Sequence, residues 1–172
     1  LRQLKELPRF IVDVMLGDLA RKLRLLGFDA VYVNLPDKEL IGRAIREGRV
    51  IITRDTGIAA SKAAARAGII FIKKHFNDPQ SQLKYVIKEL AKKGYLPEKP
   101  EARCSVCNLK LIRIKKQSAA ASVPSYVFLK TPGDFAVCPG CLRRYWQGTH
   151  YARFSSDLQK IVERCKKEVS DQ

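Results

Sequence analysis

Four of the chain's five cysteines fall into two pairs, Cys104-x-x-Cys107 and Cys138-x-x-Cys141, with thirty residues between the pairs. Two such turns presented by paired hairpins bring four thiolates into a tetrahedron, the arrangement that suits Zn2+. Four protein ligands close the coordination sphere to water, so such an ion is structural rather than catalytic. Disulfides are the competing use of paired cysteines, and they fit poorly with a chain whose visible N-terminus, LRQLKELPRF, has no secretory apolar region. A rubredoxin-like or iron–sulfur site is the remaining alternative. Cys165 stands apart, on a C-terminal helical pattern, and reads as a packed or half-exposed thiol.

A second set of residues is acidic. Asp13 directly follows the apolar run FIV, Asp37 lies in NLPD after AVYV, and Asp55 lies in TRD after VII. If those runs are parallel strands, all three carboxylates sit beyond strand carboxyl ends, where open α/β sheets collect functional groups. Asp29 precedes AVYV, at the opposite edge, and is expected to be structural. Like charges brought together raise one another's pKa unless a cation joins them. A hard divalent ion, Mg2+ or Mn2+, prefers oxygen ligands and could bind a phosphodiester and activate water there. The plainer alternative is capping: Asp37 and Asp55 each stand where a helix begins.

The elements that must position these groups are legible in the pattern. Four short, continuously apolar runs, at 10–12, 30–33, 50–52 and 69–72, alternate with helical patterns at 16–27, 39–48, 58–68 and 78–94. In the first helical pattern, leucines at 16, 19, 23 and 26 form one stripe. Strand–helix alternation with unbroken apolar strands implies an α/β fold, a mainly parallel sheet covered on both faces. The expected division is an α/β domain over 8–96, a Pro-containing linker at 97–102, a cysteine-bearing domain over 103–150 and a helix or tail over 151–172. Within the third region LKLIRIK, SYVFLK and FAV read as short strands, and SAAAS (118–122) as a loop.

Charge bears on the partner. The chain has 172 residues, with 33 Lys and Arg against 17 Asp and Glu, a net charge of +16. Residues 1–97 carry +9 and residues 98–172 carry +7, so no single tail accounts for the excess. A polyanion, nucleic acid before membrane surface, is the partner this favours; a merely solubilising surface is the alternative. Hydrophobic content of 46% excludes a disordered basic tail, and no apolar run approaches the roughly 18 residues a membrane span needs. A cytoplasmic location is expected.

The segments FIVDVMLGDLARKLRLLGFDAVYV, DKELIGRAIREGRVIITRD, RCSVCN, CPGC and WQGTH together resemble one family. It is the PIN-like ribonuclease domain with an attached zinc ribbon, found at the C-terminus of the Mut-seven exonucleases and as free-standing prokaryotic proteins. The resemblance runs from about Phe10 to His150 and implies a three-layer PIN-like domain, a small zinc ribbon and metal-dependent RNA hydrolysis. By position it implies catalytic roles for Asp13, Asp37 and Asp55 with Mg2+ or Mn2+, while Thr53 orders the site. A fourth acid, common in such nucleases, has Asp78 as its best-located candidate, although Asp78 also reads as a helix cap; Asp18 matches no acid of the pattern. Arg21 and Arg24 are candidates for RNA phosphates or for local ion pairs. Arg143, Arg144, Tyr145, Trp146 and His150 join charge to aromatic surface, for stacking on unpaired bases or for packing a minimal core. His75 carries no assignment.

The expected function is therefore RNA hydrolysis, with the zinc ribbon assisting RNA binding. The alternatives are an RNA- or ribosome-binding protein without cleavage, and a toxin-like nuclease held by an antitoxin, for which a ribbon is unusual. A ribosome-assembly nuclease combines the same two modules, so ribosomal RNA enters as a partner by analogy alone.

Overall fold

The structure, a computed structural model, describes residues 6–95 and 101–148 together with the separate positions 156, 160, 163, 164 and 167. Four strands, β1 (Phe10–Asp13), β2 (Ala30–Val33), β3 (Val50–Thr53) and β4 (Ile69–Phe71), form a parallel sheet in the order β2-β1-β3-β4. β1 pairs with β2 from Phe10↔Ala30 to Asp13↔Val33, and with β3 from Phe10↔Val50 to Val12↔Ile52. Each strand occupies one of the runs expected from the sequence.

Alternation along β1 divides the core in two. Phe10 and Val12 face α1 (Gly17–Leu25) and α5 (Pro79–Lys92), among Leu19, Leu23, Leu83, Val86 and Leu90. Ile11 faces the other layer, α2 (Asp37–Glu47) and α4 (Lys62–Ala67) with α3 (Thr56–Ala60) between, among Leu40, Ala44, Ile58 and Ala64. Burial of both sheet faces is why the strands read as unbroken apolar runs. A fully buried Leu or Ile contributes about 1.5–3 kcal/mol, so these two clusters dominate stability.

The helix expected over 58–68 is two helices. The break falls at Ser61, which adopts extended backbone and whose Oγ accepts from the Ala64 N–H, so that a serine inside an alanine-rich run caps a new helix.

After Glu101 the chain builds a second, antiparallel sheet, β5 (Ile112–Ile114), β6 (Phe135–Val137) and β7 (Arg144–Tyr145). Two short helices, α6 (Lys116–Ala119) and α7 (Ser125–Lys130), pack Ala119 and Val127 on Phe135. Here two expectations are corrected. SYVFLK is helix α7 rather than a strand: the adjacent residues Val127 and Phe128 both face the small core, as neighbours on a strand would not, while Tyr126 and Leu129 are exposed. Thr131, extended before Pro132, ends it. SAAAS is the end of α6 followed by a 3-10 turn over Ala120–Ser122, as its alanines favour. The five separate C-terminal positions are helical. The remainder of the C-terminal helix expected at 155–169, with Cys165 and His150, lies outside the described residues, as do residues 97–100 of the linker.

Candidate active site and metal centre

β1 leads into α1 on one face of the sheet, whereas its neighbour β3 leads into α3 on the other. Adjacent strands whose chains part to opposite faces create the crevice where open α/β sheets bind ligands. Asp13 and Thr53 end these two strands. The Thr53 hydroxyl, fully buried, donates to Asp13 Oδ2 at 2.8 Å and accepts from the Asp55 N–H at 2.9 Å. Asp13 Oδ1 accepts from the Val14 N–H at 2.7 Å. One threonine therefore fixes the carboxylate of Asp13 and the backbone of Asp55 together.

Asp55 caps α3, its Oδ1 accepting from the Ile58 N–H at 3.0 Å. Asp37 is the first residue of α2 and is exposed, with Pro36 before it and no capping hydrogen bond from a side chain. Its strand, β2, flanks β1 on the side away from β3. The three acids thus stand at the carboxyl ends of three adjacent strands. Their oxygens do not draw together as tightly as the cysteines below. Asp78 is an exposed cap of α5, accepting from the N–H groups of Gln80 and Ser81; hydrogen bonding to Ser81 in particular holds its carboxyl below the usual range.

Among the described residues, Cys104, Cys107, Cys138 and Cys141 are the single group of three or more His, Cys, Asp or Glu whose ligand atoms all lie within 4.8 Å. Cys104 Sγ and Cys141 Sγ are 3.6 Å apart. Tetrahedral thiolates about 2.3 Å from zinc stand about 3.8 Å from one another, so the cluster fits Zn2+. The two turns repeat the same hydrogen bonds. Asn108 N and Leu142 N donate to Cys104 O and Cys138 O at 2.9 and 3.0 Å, and Cys107 N and Cys141 N approach Cys104 Sγ and Cys138 Sγ. Asn108 and Leu142, each directly after the second cysteine, adopt left-handed backbone with φ of 62° and 59°. Burial would raise the Cys104 thiol, but the Cys107 N–H and the Tyr145 hydroxyl outweigh it and bring the thiol down to about 6. Hydrogen bonding to Cys141, with burial, pushes Cys107 up to about 12. Four free thiols in this space cannot all ionise, and a divalent cation removes that conflict.

The first cysteine turn is fastened to the α/β domain. Arg24, buried on α1, donates through Nε to Ala30 O at 2.7 Å and through Nη1 to Ser105 O and Val106 O at 2.7 and 3.1 Å. Asp29 Oδ1 accepts from Arg49 Nη1 and from Asn108 Nδ2, both at 2.7 Å, and Asn108 Oδ1 accepts from the Ala30 N–H at 3.1 Å. Gly27 (φ 85°) completes the seam, since a Cβ there would lie 2.8 Å from Glu101 O. Asp29 is structural, as its place at the amino edge of β2 implied.

This seam corrects one expectation. Arg24 does not face solvent as an RNA contact; its guanidinium is committed to three backbone carbonyls. Arg21 remains exposed and pairs with Asp18 at 3.1 Å. Arg143 is exposed, while Arg144 is half-buried and donates to Ser122 Oγ at 2.9 Å. Trp146 is 39% exposed, with its ring 6.3 Å from that of Phe135. His75 is exposed beside Phe76.

A cleft of about 600 Å³ runs beside α1 from Met15 and Arg54, at the carboxyl end of the sheet, to Ser105 and Val106, with Asp18, Arg21 and Tyr32 also in its lining; Asp13, Asp37 and Asp55 are not among its lining residues. The sequence pattern alone does not single out Arg54 and Tyr32. Arg54 stands within TRD, where the carboxyl-end rule could have found it. Tyr32 interrupts a buried run as its one strongly exposed side chain, which the run itself does not reveal.

No helix among the described residues is long and apolar enough to cross a membrane. Neither a search of the curated proteins nor one of the solved structures returns a match. The family model described as Mut7-C RNAse domain matches residues 8–158, spanning both the parallel sheet and the four-cysteine module. With that coverage, the chain belongs to the Mut7-C RNAse domain family.

Proposed function

We propose that the protein is a metal-dependent ribonuclease that hydrolyses RNA phosphodiesters internally, at the carboxyl edge of the sheet. The observation that carries this is the pairing of Asp13 and Asp55 through the buried Thr53 hydroxyl, at the point where β1 and β3 send their chains to opposite faces. Asp13, Asp55 and Asp37 are the residues that would hold Mg2+ or Mn2+. Mg2+ is commonly held by one or two carboxylates with substrate phosphate and water completing its shell, which suits acids that are not drawn into one tight cluster. When bound, such an ion supplies charge stabilisation at the phosphate and a more acidic water.

The chain's own residues do the rest. Thr53 fixes the Asp13 carboxylate, Arg21 and Arg54 hold phosphate oxygens in the cleft whose lining begins at Met15, two residues after it, and the +16 surface gathers the polyanion. The four-cysteine module holds zinc as a structural ion and places one wall of the cleft. RNA binding without cleavage is the second reading, favoured by basic charge on both halves of the chain.

The test is incubation of purified protein with single-stranded and structured RNA in Mn2+ or Mg2+, beside an Asp13→Asn/Asp55→Asn variant. Cleavage by the wild type and not by the variant is expected. Cleavage persisting in the variant would sink the assigned site, and tight, salt-sensitive binding without cleavage would establish the second reading.

A further inference from the structure

The two cysteine turns share their hydrogen bonding yet differ at their tips. At the second tip, Pro139–Gly140, the side chain of Leu109 lies so close that a Cβ on Gly140 would be 2.7 Å from Leu109 Cδ1. Pro139 and Gly140 are exposed, yet neither lines the cleft beside α1. The first tip, Ser105–Val106, leaves Val106 49% exposed and turned to the cleft that also holds Arg21 and Arg54. Arg24 grips the carbonyls of both tip residues, so the tip is held against α1 at a set position.

Three large apolar side chains, Met15 (66% exposed), Tyr32 (44%) and Val106, come together around this one cleft. Single exposed apolar residues are ordinary, but a cluster rimmed by arginines marks a binding surface. The Tyr32 hydroxyl donates to Val14 O at 2.8 Å, which ties its ring to the turn directly after Asp13. Its ring lies across the start of α1, where Gly17 makes room; a Cβ there would be 3.3 Å from Cζ. The cleft thus offers an aromatic and aliphatic lining for a flat apolar ligand and two exposed or half-buried guanidinium groups for a phosphate, which would replace the Asp18 partner of Arg21 and add to the Lys74 O bond of Arg54. Its volume falls in the range of about 300–1,000 Å³ typical of small-molecule pockets in general.

We infer that the tip of the first zinc turn, Ser105–Val106, is a specificity-determining wall of the RNA cleft, packing on the base of one unpaired nucleotide whose phosphate Arg21 and Arg54 hold. This rests on the proposed RNA-directed function and adds to it the part of the ribbon that touches substrate. The cysteine turn bears on substrate choice through the position of Val106, and Arg24, which holds Ser105 O and Val106 O, is its positioning residue.

The experiment measures binding of fluorescently labelled oligouridylate and oligoadenylate to the full chain carrying Asp13→Asn. It compares Val106→Asp, Val106→Trp and, on the second tip, Pro139→Asp, with zinc content and circular dichroism checked for each. Val106→Asp should weaken binding at least about tenfold and Pro139→Asp less than about twofold, although both add the same charge. Val106→Trp should tighten binding and change the preference between the two oligomers, since stacking on an aromatic face contributes to base binding. In the cleavage assay with Asp13 intact, Val106→Asp should raise KM and leave kcat near the wild-type value. Equal effects of the two aspartates, or no effect of either Val106 substitution in zinc-loaded protein, would overturn the inference. The binding arm decides it whether or not the protein cleaves RNA, so its failure is separable from failure of the ribonuclease reading.

Discussion

Replacing Arg24 with methionine tests whether the zinc ribbon is fastened to the α/β domain as the geometry indicates. The substitution keeps an unbranched apolar stem and removes the guanidinium that serves Ala30 O, Ser105 O and Val106 O. A hydrogen bond from a charged donor contributes about 1.5–3 kcal/mol. Nη1 divides itself between two carbonyls, so the side chain counts as two such bonds. The freed carbonyls of the cysteine turn regain water once the seam loosens, which favours the low end, a loss of about 3 kcal/mol. With a urea dependence of about 2 kcal/mol per molar, that lowers an unfolding midpoint by about 1.5 M. The chain offers a convenient pair of probes. Trp146 is its one tryptophan and sits in the ribbon, while far-ultraviolet circular dichroism is dominated by α1, α2 and α5. In the wild type the two signals should change together. In Arg24→Met the tryptophan transition should move to lower urea and separate from the helical one, and Arg24→Lys, a point charge without the planar fork, should fall between. Coincident transitions at the wild-type midpoint in Arg24→Met would refute the seam as a source of stability.

Three further outcomes are expected. Leu142→Gly should raise stability by about 0.5–1 kcal/mol in urea titrations, because Leu142 holds a left-handed φ of 59° while 69% exposed, and little packing is lost. Burial alone would raise the Asp29 carboxyl, but Arg49 and Asn108 hydrogen bonds hold it below its ordinary value of 3.8. Its contribution is therefore complete above that value and lost as pH falls through the lower folded value, so the stability gap between wild type and Asp29→Asn should close below about pH 4. Freshly purified wild type should contain about one zinc per chain by elemental analysis, Cys138→Ser should lose it, and Trp146 emission should shift to the red; wild type without zinc would contradict the metal centre.

The placement of Asp13 and Asp55 followed from apolar runs alone, since a residue at the end of an unbroken buried strand has one edge to occupy. The role of Asp29 followed from the same rule. Arg24 is ambiguous in the sequence because a basic residue two turns into a helix looks the same whether solvent or another part of the chain lies over it. Its partners, Ser105 and Val106, are more than eighty residues away, and no local pattern records them. The helix at 125–130 is hidden in the sequence for a related reason: a short run of Tyr, Val, Phe and Leu favours a strand by propensity, and only the core formed by Ala119 and Phe135 selects which of them turn inward.

What the amino-acid sequence determined by itself, then, was whatever a short range of chain suffices to specify: four apolar strands, the helices between them, two cysteine turns of matched spacing and a basic surface. Tertiary structure alone decided the relations between those pieces. It united Asp13 and Asp55 through one threonine hydroxyl, left Asp37 exposed at the start of its helix, and turned one cysteine tip to the cleft while leaving the other outside it. The physical reason is that hydrogen bonds and packing between distant segments depend on the register of whole layers, a property that no single segment carries.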